Sequence, residues 1–148
     1  MIARYLGSIR IYLYCSPDYI SVMGKPTGPE DLIDHRVLLM SDMSAGADDT
    51  LRLKGTRGEE KISLTPYCSI NDFQTLHHFA SEGLGIAALP EYLCRKDFNS
   101  GSLERVLPTW EIPLVDFHAV YPSRRGTMPK LMVFLDFVKN KFIDIQSK

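Results

Sequence analysis

Residues 69–90, SINDFQTLHHFASEGLGIAALP, decide the fold that the sequence predicts. The pattern predicts a strand, a polar corner at Asn71 and Asp72, an amphipathic helix, a glycine stop at Gly83 and a short buried strand. Open α/β sheets bind ligands beyond the carboxyl ends of their strands, where a helix N-terminus offers N–H groups. We therefore expect Asn71 and Asp72 at a ligand-binding edge whose free N–H groups favour an anion or carboxylate.

The rest of the chain alternates strands with helices, which predicts the α/β class. Strands are predicted at residues 10–15, 37–40, 67–70, 86–89, 103–107 and 114–121, and a hairpin pairs Leu51 and Leu53 with Ile62 and Leu64. Helices are predicted to begin near Pro29, at Pro90 and at Pro129, and the last of them is predicted to reach about Ile143. Loops are predicted at residues 41–49 and 122–128. Because the strands at 10–15 and 114–121 frame a compact middle, we interpret them as a two-strand hinge between lobes.

Composition restricts the classes of function. The 148 residues suffice for one domain or slightly more, and a net charge of −1 implies no bulk attraction to DNA or to anionic membranes. The three cysteines are widely spaced and form no CxxC or Cys/His cluster. Neither a disulfide framework nor a zinc site is favoured, and we expect no cofactor and no bound metal.

The N-terminal segment bears on localisation. Arg4 and Arg10 interrupt any apolar core of a signal peptide, and no apolar run approaches the roughly 20 residues of a membrane span. We therefore expect a soluble, cytoplasmic protein that makes no membrane contact.

Catalytic motifs are not found in the sequence. His77 and His78 are adjacent on a predicted helix, so their side chains diverge and do not bind one ion together. Gly83-Leu84-Gly85 lies between a helix and a strand, the reverse of the order that a dinucleotide-binding fingerprint requires. Asn71 and Asp72 remain open to two compatible interpretations, as helix caps and as ligand-binding residues.

The last predicted helix is unusually apolar. One side carries Leu131, Phe134, Leu135, Val138 and Phe142, and the apolar surface is widened by Met132, Val133 and Phe137. A helix of this kind needs cover on more than one side. We expect either a second copy of the chain to supply it, by association or strand exchange, or the helix to fold back onto the middle of the chain.

Six short motifs recur in the order and spacing of one protein family. They are Leu6-Gly7 with Ser16-Pro17-Asp18-Tyr19; Gly24-Lys25-Pro26 with Pro29-Glu30-Asp31-Leu32 and His35; Ile70-Asn71-Asp72; Gly83-Leu84-Gly85-Ile86 with Pro90; Gly101, Leu103 and Val106-Leu107-Pro108; and Tyr121-Pro122-Ser123 with Arg125, Pro129, Phe134 and Asp136-Phe137. Because these motifs occur in this order, the chain resembles the effector-binding domain of LysR-type transcriptional regulators.

The resemblance implies a periplasmic-binding-protein-like (type 2) fold in which a small-molecule effector binds in a cleft between two lobes. It implies that residues 17–115 form a complete lobe II, and that residues 1–16 and 116–148 are the remnant of lobe I. The effector would bind Asn71 and Asp72, and we assign Ser16 and Ser41, each directly after a predicted strand, to the same site. We expect Asn71 and Asp72 to lie at a strand-to-helix corner that faces the two crossover strands, on the Ser16 side of lobe II.

The resemblance also implies a homo-oligomer that contacts DNA only through an N-terminal domain absent from these residues. Effector binding would bias the oligomer on DNA, and no bond would be made or broken. Two alternatives remain open, an uncatalogued α/β enzyme and a periplasmic solute-binding protein of the same fold. Turnover of metabolites would identify the first and subcellular fractionation the second.

Overall fold

The computed structural model describes residues 1–43, 50–122 and 128–147. The predicted loops at residues 41–49 and 122–128 fall largely outside these ranges. The elements, in chain order, are β1 (Ile2–Cys15), α1 (Pro17–Met23), a 3-10 helix (Pro29–Asp34), β2 (Val37–Met40), β3 (Thr50–Gly55), β4 (Gly58–Ser63), β5 (Cys68–Ile70), α2 (Phe73–Ser81), β6 (Ile86–Pro90), α3 (Glu91–Ser100), β7 (Glu104–Val106), β8 (Ile112–Tyr121) and α4 (Pro129–Ser147).

One mixed sheet organises these elements. Its strand order is β5-β2-β6-β1-β7, and β8 also pairs with β1. Strand β2 is parallel to both β5 and β6, which lie on either side of it. Helix α2 is the crossover that takes the chain from β5 to β6, as strands running in the same direction require. Strand β1 is antiparallel to β6 and β7. The arrangement confirms the predicted α/β class. The predicted hairpin forms as β3 and β4 with Leu51 opposite Ile62, whereas Leu53 lies opposite Glu60 and Leu64 lies beyond the end of β4.

Three elements differ from the sequence-based predictions. Strand β1 begins at Ile2 rather than at residue 10, α1 was not predicted, and α4 continues to Ser147. The first residues of β1 are only partly buried, so they lack the apolar pattern that marks a strand. Helix α1 has seven residues, which are too few to show helical periodicity, although Ser16 caps it and Pro17 opens it.

The main core lies where α2 and α3 meet one face of the sheet. Its buried members are Tyr12, Tyr14, Leu38, Leu76, Ala80, Ala87, Leu89, Cys94 and Leu103. Tyr12 and Tyr14 share a face because side chains alternate along a strand. Arg105 lies beside them, with its guanidinium carbon 3.7 Å from the Tyr12 ring centroid and its Nη2 donating to Tyr14 Oη at 3.3 Å. The Tyr12 and Tyr14 rings of this core therefore have a cationic partner in Arg105.

The chain divides into two compact units. The central unit is residues 10–113, and the terminal unit comprises residues 1–9 and 114–148. Inside the terminal unit Arg4 pairs with Asp136, and the ring centroids of Phe117 and Phe142 are 5.3 Å apart. The lobe boundaries that the resemblance implies, after residues 16 and 115, concern a larger protein and stay a prediction.

Candidate functional site

Strands β2 and β5 end side by side in the central unit. They are parallel, with Met40 opposite Ile70, and the Ser41 backbone N–H donates to the Ile70 carbonyl at 2.9 Å. Ser41 and Asn71 are thus the first residues beyond two adjacent carboxyl ends. Such strand ends are where open α/β sheets bind ligands.

Asp72 begins α2 at this corner. Its Oδ1 accepts from the Gln74 N–H at 3.3 Å, and its Oδ2 accepts from the Thr75 N–H at 2.9 Å and the Thr75 hydroxyl at 2.6 Å. The Thr75 hydroxyl and then its N–H hold the pKa of the Asp72 carboxyl below its ordinary value. The corner therefore carries a negative charge at neutral pH.

These contacts correct one expectation. The first N–H groups of α2 were expected to be free for an anionic ligand, but two of them donate to the Asp72 carboxylate. An Asp at the N-cap satisfies donors that every helix start leaves without a backbone partner. The argument for an anion from free helix N–H groups therefore does not hold at this site.

Asn71 is the residue of this corner whose side chain can either donate or accept a hydrogen bond. Its side chain is exposed and forms no hydrogen bond within the part of the chain that the structure describes. A primary amide carries two donors and one acceptor with two lone pairs. Asn71 can therefore turn toward either a donor or an acceptor of a ligand.

Strand β6 ends at the same edge of the sheet as β2 and β5, as its pairing with β2 and β1 shows. Strand β6 is parallel to β2, and Ile11 of β1 lies opposite Pro90, the last residue of β6. The carboxyl ends of β5, β2 and β6 therefore lie along one edge, together with the point where β1 enters the central unit.

Ser16 lies at the opposite edge. Tyr14 pairs with Ala87 and Val37 pairs with Ile86, so the end of β1 is beside the starts of β2 and β6. Ser16 Oγ accepts from the Tyr19 N–H at 3.2 Å as the cap of α1. The expectation that Ser16 lies near Asn71 and Asp72 is wrong, because antiparallel β1 runs away from the edge where its neighbours end.

Thr75 was not among the sequence-predicted site residues. Its hydroxyl and backbone N–H both bind the carboxylate that gives the corner its charge. The sequence signalled only the cap, since an Asp directly before the first apolar residue of a helical pattern is typical of helix starts. Thr75 stands three residues later, where the usual capping pattern has Glu or Gln, so its role was not marked in the sequence.

The buried thiols of Cys15 and Cys94 are unsuited to nucleophilic chemistry. Burial raises the pKa values of the Cys15 and Cys94 thiols to about 12, which keeps both protonated at neutral pH. In residues 1–43, 50–122 and 128–147, no group of three His, Cys, Asp or Glu side chains could hold a metal ion. No helix in those ranges is both long and apolar enough to span a membrane.

Curated relatives of the chain are regulators of transcription by name. It is 30% identical over 140 residues to an HTH-type transcriptional regulator of Xanthomonas campestris pv. campestris (strain 8004), covering 93% of this chain and 41% of that protein. It is 28% identical over 137 residues to the HTH-type transcriptional regulator CrgA of Neisseria meningitidis serogroup C (strain 8013), covering 92% and 45%. The chain thus spans less than half the length of these relatives.

Solved structures agree with this similarity. Full-length AphB, a Vibrio cholerae virulence activator and member of the LTTR family, has a TM-score of 0.79 at 27% identity, covering 95% of this chain and 48% of that one. The regulatory domain of CrgA from Neisseria meningitidis has a TM-score of 0.74 at 26% identity, covering 95% and 68%. These regulatory domains have the periplasmic-binding-protein-like type 2 fold, which confirms the predicted fold class. Since residues 1–143 match the family described as LysR substrate binding domain, the chain belongs to that family.

Proposed function

We propose that the chain binds a small-molecule effector at the edge formed by Ser41, Asn71 and Asp72. The observation that carries the proposal is the meeting of two parallel strand ends, where the Ser41 N–H donates to the Ile70 carbonyl and places three polar residues together. Membership in a substrate-binding domain family supports a ligand at such an edge.

The effector class follows from the polar groups of the corner. The Asp72 carboxylate is ionised and already accepts from Thr75, so a bare anion would meet a like charge there. A ligand with both donor and acceptor groups fits better, because its donors would face Asp72 while its acceptors would face the Asn71 amide. An amino acid satisfies both conditions, with its carboxylate on Asn71 and its ammonium on Asp72.

Effector binding would act through populations of conformations. A ligand that binds one conformation more tightly shifts the protein toward it, by no more than the difference in affinity. We propose that this shift biases a longer, oligomeric regulator on DNA, with the DNA contacts outside these residues. The protein would then act by binding and would catalyse no reaction.

A ligand screen tests the proposal directly. Thermal unfolding of the chain is measured with a panel of organic acids and amino acids, because a ligand at 100 times its Kd stabilises the folded state by about 2.7 kcal/mol. We expect amino acids to raise Tm more than dicarboxylic acids of similar size. Assay of the same panel for chemical turnover separates binding from the enzyme alternative, which requires consumption of a compound.

Calorimetric titration of variants locates the site. Asn71→Ala should weaken binding of the best compound at least about tenfold, because a hydrogen bond to a charged group is lost. Asn99→Ala is the matched control, since Asn99 is also exposed but lies on α3. Equal affinities for the two variants would place the ligand elsewhere and contradict the proposed site.

A further inference from the structure

An arginine and two tyrosines meet at the amino ends of β2 and β5, the edge of the central sheet away from the proposed effector site. Arg36 directly precedes β2, and Tyr67 directly precedes β5. The Tyr67 N–H donates to the Val37 carbonyl at 2.8 Å, which places the starts of the two strands side by side. The whole group belongs to the central unit, residues 10–113.

The Arg36 guanidinium lies over two aromatic rings. Its central carbon is 5.7 Å from the centroid of the Tyr19 ring and 5.6 Å from the centroid of the Tyr67 ring. Tyr19 is buried, whereas Tyr67 is 57% exposed, so one ring belongs to the core and the other to the surface. A cation over the face of a tyrosine ring is attracted by the negative potential of that face. The rings therefore hold the guanidinium without neutralising its charge.

Hydrogen bonds fix both the backbone of Arg36 and the ring of Tyr19. The Arg36 N–H donates to Tyr19 Oη at 3.1 Å, and the Arg36 carbonyl accepts from the Ile86 N–H at 2.8 Å. Tyr19 Oη also forms a hydrogen bond of 2.8 Å with His35 Nδ1. A Cβ on Gly85 would collide with the Arg36 carbonyl oxygen, so β6 begins as close to Arg36 as glycine permits. The arginine is therefore held by contacts with α1 and β6 before any ligand binds.

Arg36 has no carboxylate partner in the part of the chain that the structure describes. Arg105 offers a direct comparison, because its guanidinium also lies over two tyrosine rings, those of Tyr12 and Tyr14. There the charge is paired, with Arg105 Nη2 at 3.5 Å from Glu91 Oε1. Arg36 has the same aromatic surroundings and lacks the equivalent of Glu91.

We propose that Arg36 anchors a second ligand site, which binds the carboxylate of a small molecule with an apolar tail. The ligand carboxylate would take the place that Glu91 has at Arg105, since its two oxygens match the parallel N–H donors of a guanidinium. The apolar tail would pack against the exposed ring of Tyr67. The proposal does not depend on the effector site, because the two sites share no residue and lie at opposite ends of β2 and β5.

NMR titration of the 148-residue chain with sodium butyrate tests the site. Butyrate carries one carboxylate and a short apolar tail, and butyramide has nearly the same shape without the charge. We expect saturable shifts of the Arg36 and Tyr67 amide signals with a Kd of about 1–10 mM, which corresponds to one charged contact with some apolar packing. Butyramide at equal concentration should leave these signals in place. Sodium chloride at equal concentration corrects for ionic strength.

Variants separate an arginine held over rings from positive charge alone. Arg36→Gln should raise the butyrate Kd at least about tenfold, because the charged partner of the carboxylate is lost. Arg36→Lys should raise it by less, since an ammonium keeps the charge but lacks the parallel N–H groups. Arg57→Gln is the matched control and should leave the Kd unchanged. Arg57 is exposed in the central unit and has neither an ion pair nor a ring partner among the described residues.

Two further measurements test the tail and the source of the carboxylate. Tyr67→Ala should raise the butyrate Kd about threefold, because the exposed ring is lost while the backbone hydrogen bond stays. A glutamate blocked at both ends imitates an acidic side chain of another protein, and it should bind more weakly than butyrate, since its polar amides pack poorly against a ring. Amide spectra verify that every variant folds.

Four outcomes would overturn the proposal. The first two are shifts that never saturate and equal shifts with butyramide, because neither shows a site for a carboxylate. The third is an equal butyrate Kd for Arg36→Gln and Arg57→Gln, which would leave Arg36 with no special role. The fourth is tighter binding of the blocked glutamate, which would assign Arg36 to a protein partner instead of a small molecule.

Discussion

Asp72 combines an observed role as a helix cap with a proposed role in effector binding. Its carboxylate closes the first turn of α2 through the Gln74 and Thr75 N–H groups, and it is the charged group of the proposed effector site. The two roles are compatible, because the hydrogen bonds that make Asp72 a helix cap also fix the orientation of its carboxylate. The Thr75 hydroxyl adds a second constraint on the same oxygen.

The Asp72 carboxyl should titrate below its ordinary pKa of 3.8, because the Thr75 hydroxyl and backbone N–H favour its ionised form. A lowered pKa in the folded state means that the stabilisation is present above the unfolded value. It is lost as the pH falls through the folded value. Carboxyl carbon shifts recorded by NMR against pH measure this pKa, and Thr75→Val should raise it. A midpoint at or above 3.8 in the unmodified chain would contradict the prediction.

Helix α2 has a defined C-terminal end as well as a capped N-terminus. Glu82 is the last capping residue, and Gly83 follows with φ of +80°, a backbone conformation that side chains with a Cβ disfavour. A Cβ at Gly83 would lie 3.2 Å from Ser16 Oγ, so this turn also packs against the cap of α1. The end of one helix and the start of another therefore constrain each other, at the edge away from the proposed site.

Gly83→Ala should lower the free energy of unfolding by more than Gly101→Ala does. Both glycines are left-handed, at φ of +80° and +81°, and an alanine costs about 1–2 kcal/mol in that region. Gly101 has nothing within 4 Å of an added Cβ, whereas Gly83 would also crowd Ser16. Urea unfolding of both variants measures the difference. Equal losses would show that the contact with Ser16 adds nothing.

At the scale of the whole molecule, the two units differ in how completely they bury their apolar residues. In the central unit β6 is buried along its whole length and lies between β2 and β1. In the terminal unit α4 has a single buried side chain among its described residues, Leu135. A helix stabilised on one side alone depends on further contacts.

The 148-residue chain should not form a sequence-specific complex with DNA at physiological salt. Its net charge is −1, and specific DNA-binding domains concentrate positive charge on the face that meets the phosphates. Fluorescence anisotropy with duplexes of different sequence, at two salt concentrations, measures the interaction. A sequence-dependent complex whose affinity falls with salt would contradict the prediction.

The sequence by itself determined the local features of this protein: the α2 cap at Asp72, the Gly83 stop, the hairpin of β3 and β4, and the α/β class. Each depends on residues within a few positions of one another, whose spacing is visible in the chain. Only the tertiary structure decided that Ser41 joins Asn71 while Ser16 does not, because strand direction and register arise from contacts between distant residues. It likewise decided which side of α4 stays exposed, since helical periodicity marks an apolar side without saying what covers it.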